Sequence, residues 1–571
     1  MTAVIRTSIL PETVPARLYE RLERAPEERA LAFYQTDGTT TWRTYAEVHA
    51  AAAGSAGRMA ELGVAPGDAV VIVLSSAEPA TTLVLGSLLL GARPLLVAPP
   101  SLLGANSDLP RVLSSTVRRT EARLVVAPAS MGRDRDQLER VRRSTRWLFS
   151  EEEALGAPDV DAVAPHLPDP SEVVAYQLTS GTTGLPKVCV WEHRALTAAI
   201  DGMVAAMELS EEDVFFNWTP LYHDMGLVNN FLTCMATGIP LVLMSPHDFV
   251  KSPSSWLHGV HRTGATVTWS PNFGYALAAQ RIKDTDLEGV DLSGVRGWWN
   301  AAERIHHNTF VEFHRRFEKY GVPWDRLRTN FGCAENIGGA TFTRPGEPYR
   351  VEFVDRDALA EARTARVVDP ADEKAVSIVG AGRPHPGIKI QILSPRGEAL
   401  PEGHVGEIAL DTASRMTAYL KNAEATKRAI HGDLLRTGDL GYMRDDELYW
   451  AGRVRERITV RGKKFDPSDF EPFLLEVQGL RKGCFAAFGM DETGQGTQRV
   501  VVVSEVTDPM PRPADEIAGE IRRQSFLRLG LSVDVVLVPT GTLTKTSSGK
   551  RRHRHFKRMY ESGELQQVQV S

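Results

Sequence analysis

Short apolar runs alternate with amphipathic stretches through the first part of the chain. This rhythm restricts the fold more than any other feature. Asp68-Ala-Val-Val-Ile-Val-Leu74, Pro94 to Ala98 and Arg123-Leu-Val-Val-Ala127 read as strands buried on both faces. Between them, Tyr45 to Leu62 has helical periodicity and stops near Gly63, and Leu83 to Leu90 is helical. Strands alternating with helices predict a parallel α/β sheet with right-handed crossovers. The pattern continues in Val173-Val-Ala-Tyr-Gln-Leu178, a short buried strand, and in Thr266 to Tyr275, a strand that turns at Pro271 into a helix. Val295 to Asn300 and Thr329 to Glu335 add two strand ends, and Phe310 to Tyr320 a helix with Phe310, Phe313 and Phe317 at core spacing. Ligands of open α/β sheets sit outside the carboxyl ends of the strands, so a site is expected among these turns.

A chain of 571 residues is too long for one core and implies two to four domains. Gly156 to Ser171, rich in Pro, Asp and Ala, reads as a surface loop leading to the Val173 strand, beyond which the same rhythm resumes. Pro345 to Ser377 is charged, with few large apolar residues apart from Val351, Phe353 and Val354, and reads as a solvated insertion. Glu407-Ile-Ala-Leu410 and Leu448-Tyr-Trp450 alternate like antiparallel strands of a small β-subdomain. After Gly452 the texture becomes that of a small α+β domain. Its strands fall near Cys484 to Phe488, Val500 to Val503 and Val533 to Val538, and its helices near Asp466 to Val477 and Ala514 to Leu529. A boundary at about 451–456 divides the chain into 1–451 and 452–571.

Composition excludes several classes. Net charge is −6, against a general nucleic-acid binder. Cys189, Cys234, Cys333 and Cys484 lie far apart with no CxxC pair, so they read as reduced cytosolic residues, not a disulfide frame or a zinc site. Met1 to Arg6 lacks a signal-peptide apolar region. The most apolar run, Leu83 to Ala98, contains Arg93 and Pro94 and is too short for a bilayer, so a cytoplasmic protein without membrane partners is expected.

Leu178-Thr-Ser-Gly-Thr-Thr-Gly-Leu-Pro-Lys187 carries the strongest chemical signal. Glycines let successive backbone N–H groups turn toward one point, hydroxyls add donors, and Lys187 adds charge, which suits a polyphosphate. Taken alone, Ser-Gly-Thr-Thr-Gly also fits an ordinary turn. The other phosphate-loop pattern, GxxxxGK[ST], is absent: Gly549-Lys550 is followed by Arg551. Tyr222-His223-Asp224 is likewise either a turn or a site.

Five segments together resemble the acyl-adenylate-forming superfamily: TSGTTGLPK, FGCAE, RTGDLGYM, GRVRERITVRGKKFDP and TLTKTSSGK. The resemblance covers essentially the whole chain and is closest to the fatty acyl-AMP ligases, through PLYHDMGL, SPNFGYAL, DLSGVRGWWNAAE and YRVEFVDRDALAEARTARVV. It implies a large N-terminal adenylation domain of layered parallel sheets plus a β-subdomain, and a small mobile C-terminal domain. It further implies ATP- and Mg²⁺-dependent conversion of a carboxylic acid to acyl-AMP and pyrophosphate, then transfer to the phosphopantetheine of an acyl carrier protein. In that branch an insertion at the position of 345–377 restricts the domain movement needed for CoA attack. The chain departs from many of that branch by keeping Gly184, Pro186 and Lys187, as CoA ligases do. An acyl- or aryl-CoA ligase therefore stands as the alternative enzyme, and a non-catalytic adenylate-binding scaffold as the alternative class. Lys187, Glu335, Asp439 and Lys550, all present, argue against the scaffold.

The same resemblance assigns roles. Thr179, Ser180, Gly181, Thr182, Thr183, Gly184 and Lys187 would hold the β- and γ-phosphates, with Glu335 and Thr183 at Mg²⁺. Asn300, Ala301, Ala302, Glu303, Asn330, Phe331, Gly332 and Cys333 would border adenine. Asp439 would accept the ribose hydroxyls beside Arg453, and Glu456 would sit at the hinge. Lys550, with Glu335 and His223, would be catalytic; its ammonium would bridge the attacking carboxylate and the α-phosphate. The run Lys550 to Arg558 reads as a solvated basic face, with an RNA-binding tail or docking of an acidic carrier protein as alternatives.

Tyr222, His223, Asp224, Trp269, Asn272, Trp298 and Trp299 would form the acid pocket. Relatives carry small residues where Trp269 and Ser270 stand, often Ala-Phe where Trp298-Trp299 stand, and an apolar residue at Thr219. Filling a tunnel with indoles predicts a short, polar or aromatic acid. Strand alternation means that Trp298 and Trp299 cannot face the same side.

Overall fold

The computed structural model describes residues 4–75, 77–100, 109–164, 166–179, 185–454, 456–460, 463–491, 498–545 and 551–568. The predicted alternation forms two parallel sheets. Arg93–Leu96, Ala69–Ile72, Leu124–Val126 and Arg146–Leu148 pair in that order, all parallel. Ala69–Ile72 is buried at every position, as its unbroken apolar sequence requires. Helix Tyr45–Glu61 begins at a capping box of Thr44 and Glu47, which satisfies two of its free amide groups. It packs against helix Ala77–Leu89.

The larger sheet has a parallel centre: Leu327–Cys333, Gly297–Ala301, Val267–Pro271, Phe215–Asn217, Leu241–Met244 and Arg29–Tyr34, in that order. Antiparallel strands close both edges. Alternate residues feed two cores. Phe215, Trp269, Trp299 and Phe342 enter one, while Phe216, Trp218, Trp298 and Phe313 enter the other. Parallel strands end on the same side, so the turns after Pro271, Ala301 and Cys333 gather along one edge.

One element departs from the expected rhythm. Val173–Leu178 joins no parallel sheet; it pairs antiparallel with Val188–Glu192, which in turn pairs with Ala418–Tyr419. The residues after Lys187 form a second buried strand before helix His193–Met207 starts. The loop is thus the connection of a hairpin, closed where Thr179 N–H donates to the Lys187 carbonyl at 2.9 Å.

The 345–377 region is also corrected. Val351–Asp355 pairs antiparallel with Ala375–Val379, and Val354, Ala365 and Ile378 pack on Tyr442 and Tyr449 of the β-subdomain. Tyr442 donates its hydroxyl to Glu352 at 2.9 Å. The segment is charged because one face is solvated, but its few apolar residues are anchored. The β-subdomain strands Ile388–Leu393, Gly406–Thr412, Leu434–Arg444 and Glu447–Arg453 bear out the predicted alternation.

Beyond 456, Leu480–Asp491, Gln498–Val506 and Val533–Val538 form a sheet, with helix Ala514–Leu529 on one face and Phe556 of helix His553–Glu561 on the other. The helix expected over 466–477 is instead two short turns, Pro467–Phe470 and Glu471–Leu474, because Pro467 and Pro472 each restart the backbone. Among the described residues no helix is long and apolar enough to cross a membrane.

Candidate active site

A cleft of about 810 Å³ opens where the strand ends, the hairpin, the β-subdomain and the C-terminal region meet. Thr179 and Lys187 line it from the hairpin, and Tyr222, His223 and Asp224 from the turn before Met225. Ala302, Gly332, Cys333 and Glu335 come from the sheet edge, Asp439, Arg453 and Glu456 from the β-subdomain and the segment after it. Lys545 and Arg552, on either side of Lys550 in sequence, reach the same cleft. Ser180, Gly181, Thr182, Thr183, Gly184 and Lys550 lie outside the described residues.

The hairpin end of the cleft is built around Tyr419. Lys187 Nζ lies 3.5 Å from the centre of the Tyr419 ring and 3.8 Å from Glu335 Oε1. The Tyr419 hydroxyl donates to Glu335, and burial followed by the Glu335 charge pushes its pKa far up, so it remains a donor. Glu335 is held by its backbone too: its carbonyl accepts the Met416 N–H at 2.8 Å.

Among the described residues no three His, Cys, Asp or Glu side chains converge as a metal cage. One carboxylate beside a phosphate-loop lysine suits Mg²⁺, which is usually held by one or two carboxylates together with substrate phosphates.

The opposite wall carries a carboxylate paired with a cation. Asp439 Oδ1 accepts the Trp450 indole N–H at 3.1 Å and Arg453 Nε–H at 3.2 Å. The Asp439 charge raises the Arg453 pKa further, so the guanidinium is a fixed cation. Glu407 steadies the turn by accepting the Gly438 N–H at 3.2 Å. A carboxylate with a bonded oxygen and a cation beside it suits two vicinal hydroxyls.

The residues expected to border adenine divide. Asn300 is fully buried; its Nδ2 donates to Asn272 Oδ1 at 3.3 Å, while its Oδ1 has no partner. A buried acceptor left open is costly unless a ligand donor meets it. Ala301 ends the strand, and Ala302 takes φ +72°, an uncommon conformation for a residue with a Cβ. That twist lets Glu303 accept the Phe273 N–H at 2.7 Å. Burial raises the Glu303 pKa against the opposing pull of Arg551. Phe331 packs into the core, and its N–H donates to Thr341 Oγ1 at 3.2 Å. Asn330 Oδ1 accepts the Trp269 indole N–H at 3.1 Å.

In the proposed acid pocket, His223 Nδ1 and Asp224 Oδ1 lie 2.7 Å apart, and both accept the Met225 N–H. Trp269 and Trp299 stack with centroids 5.5 Å apart, inside the core beneath the cleft and not on its open wall. Trp298 points to the other face of the sheet, among Trp256 and Phe313. Thr219 donates to Asn217 Oδ1 at 2.5 Å, so its hydroxyl is satisfied within the protein.

Tyr419, Gln177 and Trp450 escaped the sequence reading. Gln177 Nε2 donates to the Tyr222 carbonyl at 2.9 Å, leaving Oε1 buried without a partner at the cleft. The only trace of Gln177 in the sequence is its polarity in an otherwise apolar strand. Tyr419 stands 232 positions from Lys187, and nothing local to it marks the contact.

Comparison with known proteins gives the family of the chain. The family model for AMP-binding enzymes matches residues 18–420. A medium-chain-fatty-acid–acyl-carrier-protein ligase, JamA of Moorena producens, is 32% identical over 480 residues, covering 80% of each chain. A structure from work on fatty acyl-adenylate ligases of E. coli and L. pneumophila superposes with a TM-score of 0.89 at 24% identity, covering 98% of this chain and 99% of that one. A keto acid-selecting NRPS module superposes with a TM-score of 0.88 at 26% identity, covering 99% of this chain and 47% of that one.

Proposed function

The chain belongs to the AMP-binding enzyme family and is an adenylate-forming ligase, and we propose that it activates a short, polar or aromatic carboxylic acid as acyl-AMP and passes the acyl group to a carrier-protein thiol. The carrying observation is one cleft with Lys187, Glu335 and Tyr419 at one end and Asp439 and Arg453 at the other. The first group fits a polyphosphate with Mg²⁺, the second a ribose. The open acceptor of Asn300 fits an exocyclic amine of adenine. A medium-chain-fatty-acid–acyl-carrier-protein ligase among the relatives supports the acceptor, and a keto acid-selecting NRPS module among the structural neighbours supports a small polar acid.

In the reaction, a carboxylate oxygen attacks the α-phosphorus of ATP, and pyrophosphate leaves. In-line displacement of this kind needs positioning and charge neutralisation more than proton transfer. Lys187 faces the departing phosphates. Mg²⁺, held through Glu335, would lower the charge on them. Asp439 and Arg453 fix the ribose, so the α-phosphorus stands between the two ends. Lys550 would stabilise charge between the carboxylate and the α-phosphate, supported by Lys545 and Arg552 reaching the cleft on either side of it in the chain. Residues 1–451 and 452–571 would act as the static and mobile parts, pivoting at Glu456.

The Trp269–Trp299 stack, packed in the core, supports a small acid. The buried, unpartnered Oε1 of Gln177, a residue that lines the cleft, supports a polar acid.

The test is pyrophosphate release with ATP, Mg²⁺ and an acid panel, followed by addition of CoA or a holo carrier protein. Adenylate formation with thioester only on the carrier is expected. Efficient CoA thioester formation would make the protein an acyl- or aryl-CoA ligase. No pyrophosphate from wild-type protein with any acid would leave the scaffold reading. Lys550→Ala should keep the fold and lose at least about 10²-fold in pyrophosphate release.

A further inference from the structure

Strand Val173–Leu178 presents its alternate faces to two cores. Tyr176 and Leu178 pack with Val188 and Val190 on one side, while Ala175 packs with Cys189 and Trp191 on the other. Gln177 stands opposite Cys189 in the hairpin and shares the face of Ala175. The core on that face also holds Leu221, Trp269 and Trp299, and Tyr222 packs against it. Gln177 therefore lies on the side of the strand where the acid is expected, and it lines the cleft.

Gln177 is 2% exposed, and its amide is locked at one end only. Nε2 donates to the Tyr222 carbonyl at 2.9 Å and to the Leu178 carbonyl at 3.2 Å, which uses both of its hydrogens. Turning the amide over would set Oε1 against those two carbonyls, acceptor against acceptor, so the orientation is fixed. Oε1 is left as a buried acceptor without a partner. An unmet buried acceptor costs more than an ordinary hydrogen bond gains, and a donor on a bound molecule would remove that cost. A ligand group that fills the same place without a donor loses affinity instead.

We infer that Gln177 is a specificity-determining residue: its Oε1 accepts a hydrogen bond from the substrate, so the acid carries a hydroxyl or amino donor on its carbon skeleton. A methyl group in that place would leave Oε1 unmet, and a keto oxygen would face it acceptor to acceptor. The substrate class thereby narrows from polar acids in general to hydroxylated or amino-bearing acids, aliphatic or aromatic. The inference rests on the reading of this cleft as the site where a small acid is adenylated.

The experiment compares matched acids on one enzyme. Pyrophosphate release is measured with hydroxylated and aminated benzoates and butyrates, and with their methyl and keto counterparts. The best donor-bearing acid should exceed its methyl or keto counterpart at least tenfold in kcat/KM, as expected of a site built around a buried acceptor. In Gln177→Leu that ratio should fall at least fivefold, through loss on the donor-bearing acid. A ratio taken within one preparation does not depend on the folded fraction, so a less stable variant still gives the readout, and the wild-type ratio needs no variant at all. A wild-type ratio under tenfold for every pair would overturn the inference. So would a ratio in Gln177→Leu within fivefold of wild type, which would leave Gln177 as an anchor of the Tyr222 carbonyl alone. Failure of the underlying reading shows separately, as wild-type protein that releases no pyrophosphate with any acid, or releases it fastest with dodecanoate or longer.

Discussion

Lys187 Nζ stands 3.8 Å from Glu335 Oε1, although 147 residues separate them in the chain. The two groups form an ion pair at the edge of contact, and the Tyr419 hydroxyl holds the carboxylate in place. Lys187→Ala should raise KM for ATP and lower pyrophosphate release on the order of 10²-fold, the scale of losing one preorganised charge. Glu335→Gln should slow the reaction similarly, and its Mg²⁺ titration should saturate at higher concentration. A Mg²⁺ profile identical to wild type would remove Glu335 from the metal.

His193 gives a pH prediction for stability. It opens helix His193–Met207, is buried, and has its pKa pushed down to about 4 by burial. Between about 4 and its ordinary 6.5, the unfolded chain binds a proton there and the native one does not. Stability from this group therefore rises with pH through that window, is complete above 6.5 and is lost on acidification. The full difference is up to about 3 kcal/mol, with about 2 kcal/mol lying between pH 7 and pH 5. Urea midpoints at the two pH values should move less in His193→Phe than in wild type. Equal shifts would place the titration elsewhere.

What was legible in the sequence follows the range of the interactions. Tyr45 to Leu62, Pro271 and the Phe310, Phe313, Phe317 spacing are local patterns, and each lies in the structure where it was expected. The opposite facing of Trp298 and Trp299 also follows from strand period alone. The Val188–Glu192 strand was missed because a loop as long as 179–187 carries no hairpin signature. Tyr419 was invisible for a different reason: it acts on partners brought near only by the tertiary fold. The burial of Val354 was hidden in the same way, since its neighbours Tyr442 and Tyr449 lie far downstream.

That burial changes how the insertion is tested. Removing 345–377 would delete Val354 and uncover the stacked pair it covers, Tyr442 and Tyr449, whose rings lie 4.9 Å apart. Each large side chain exposed costs about 1.5–3 kcal/mol, so a deletion would confuse stability with function. Arg356 is the better handle, because its guanidinium donates to the Arg528 carbonyl of the C-terminal domain. Arg356→Ala should leave Tm nearly unchanged and raise CoA thioester formation about threefold or more if the segment restrains the domain. The CoA discharge assay checks this. A variant with wild-type acceptor preference would show that the restraint lies elsewhere.

Substrate length is the sharpest consequence of the indole pair. Trp269 is fully buried, stacked on Trp299, packed against Phe215 and bonded to Asn330. Its N–H is thus satisfied by the protein, so the proposed role for the ring is that of a fixed plug and not a ligand donor. A plug of this kind rejects chain length abruptly, because every methylene that cannot enter forgoes about 0.8 kcal/mol. Pyrophosphate release measured from acetate to palmitate, and with benzoates, should therefore peak at short or aromatic acids and drop steeply beyond them. Trp269→Gly would leave a cavity and cost roughly 3–5 kcal/mol of stability, so its assay needs a temperature well below its Tm. Under those conditions the optimum should move to longer acids. Asn330→Ala tests the same plug by freeing the indole N–H, and should broaden the length cutoff with a smaller loss of stability. Best turnover of wild-type protein with dodecanoate or longer would show that the acyl chain runs past Trp269 by another route.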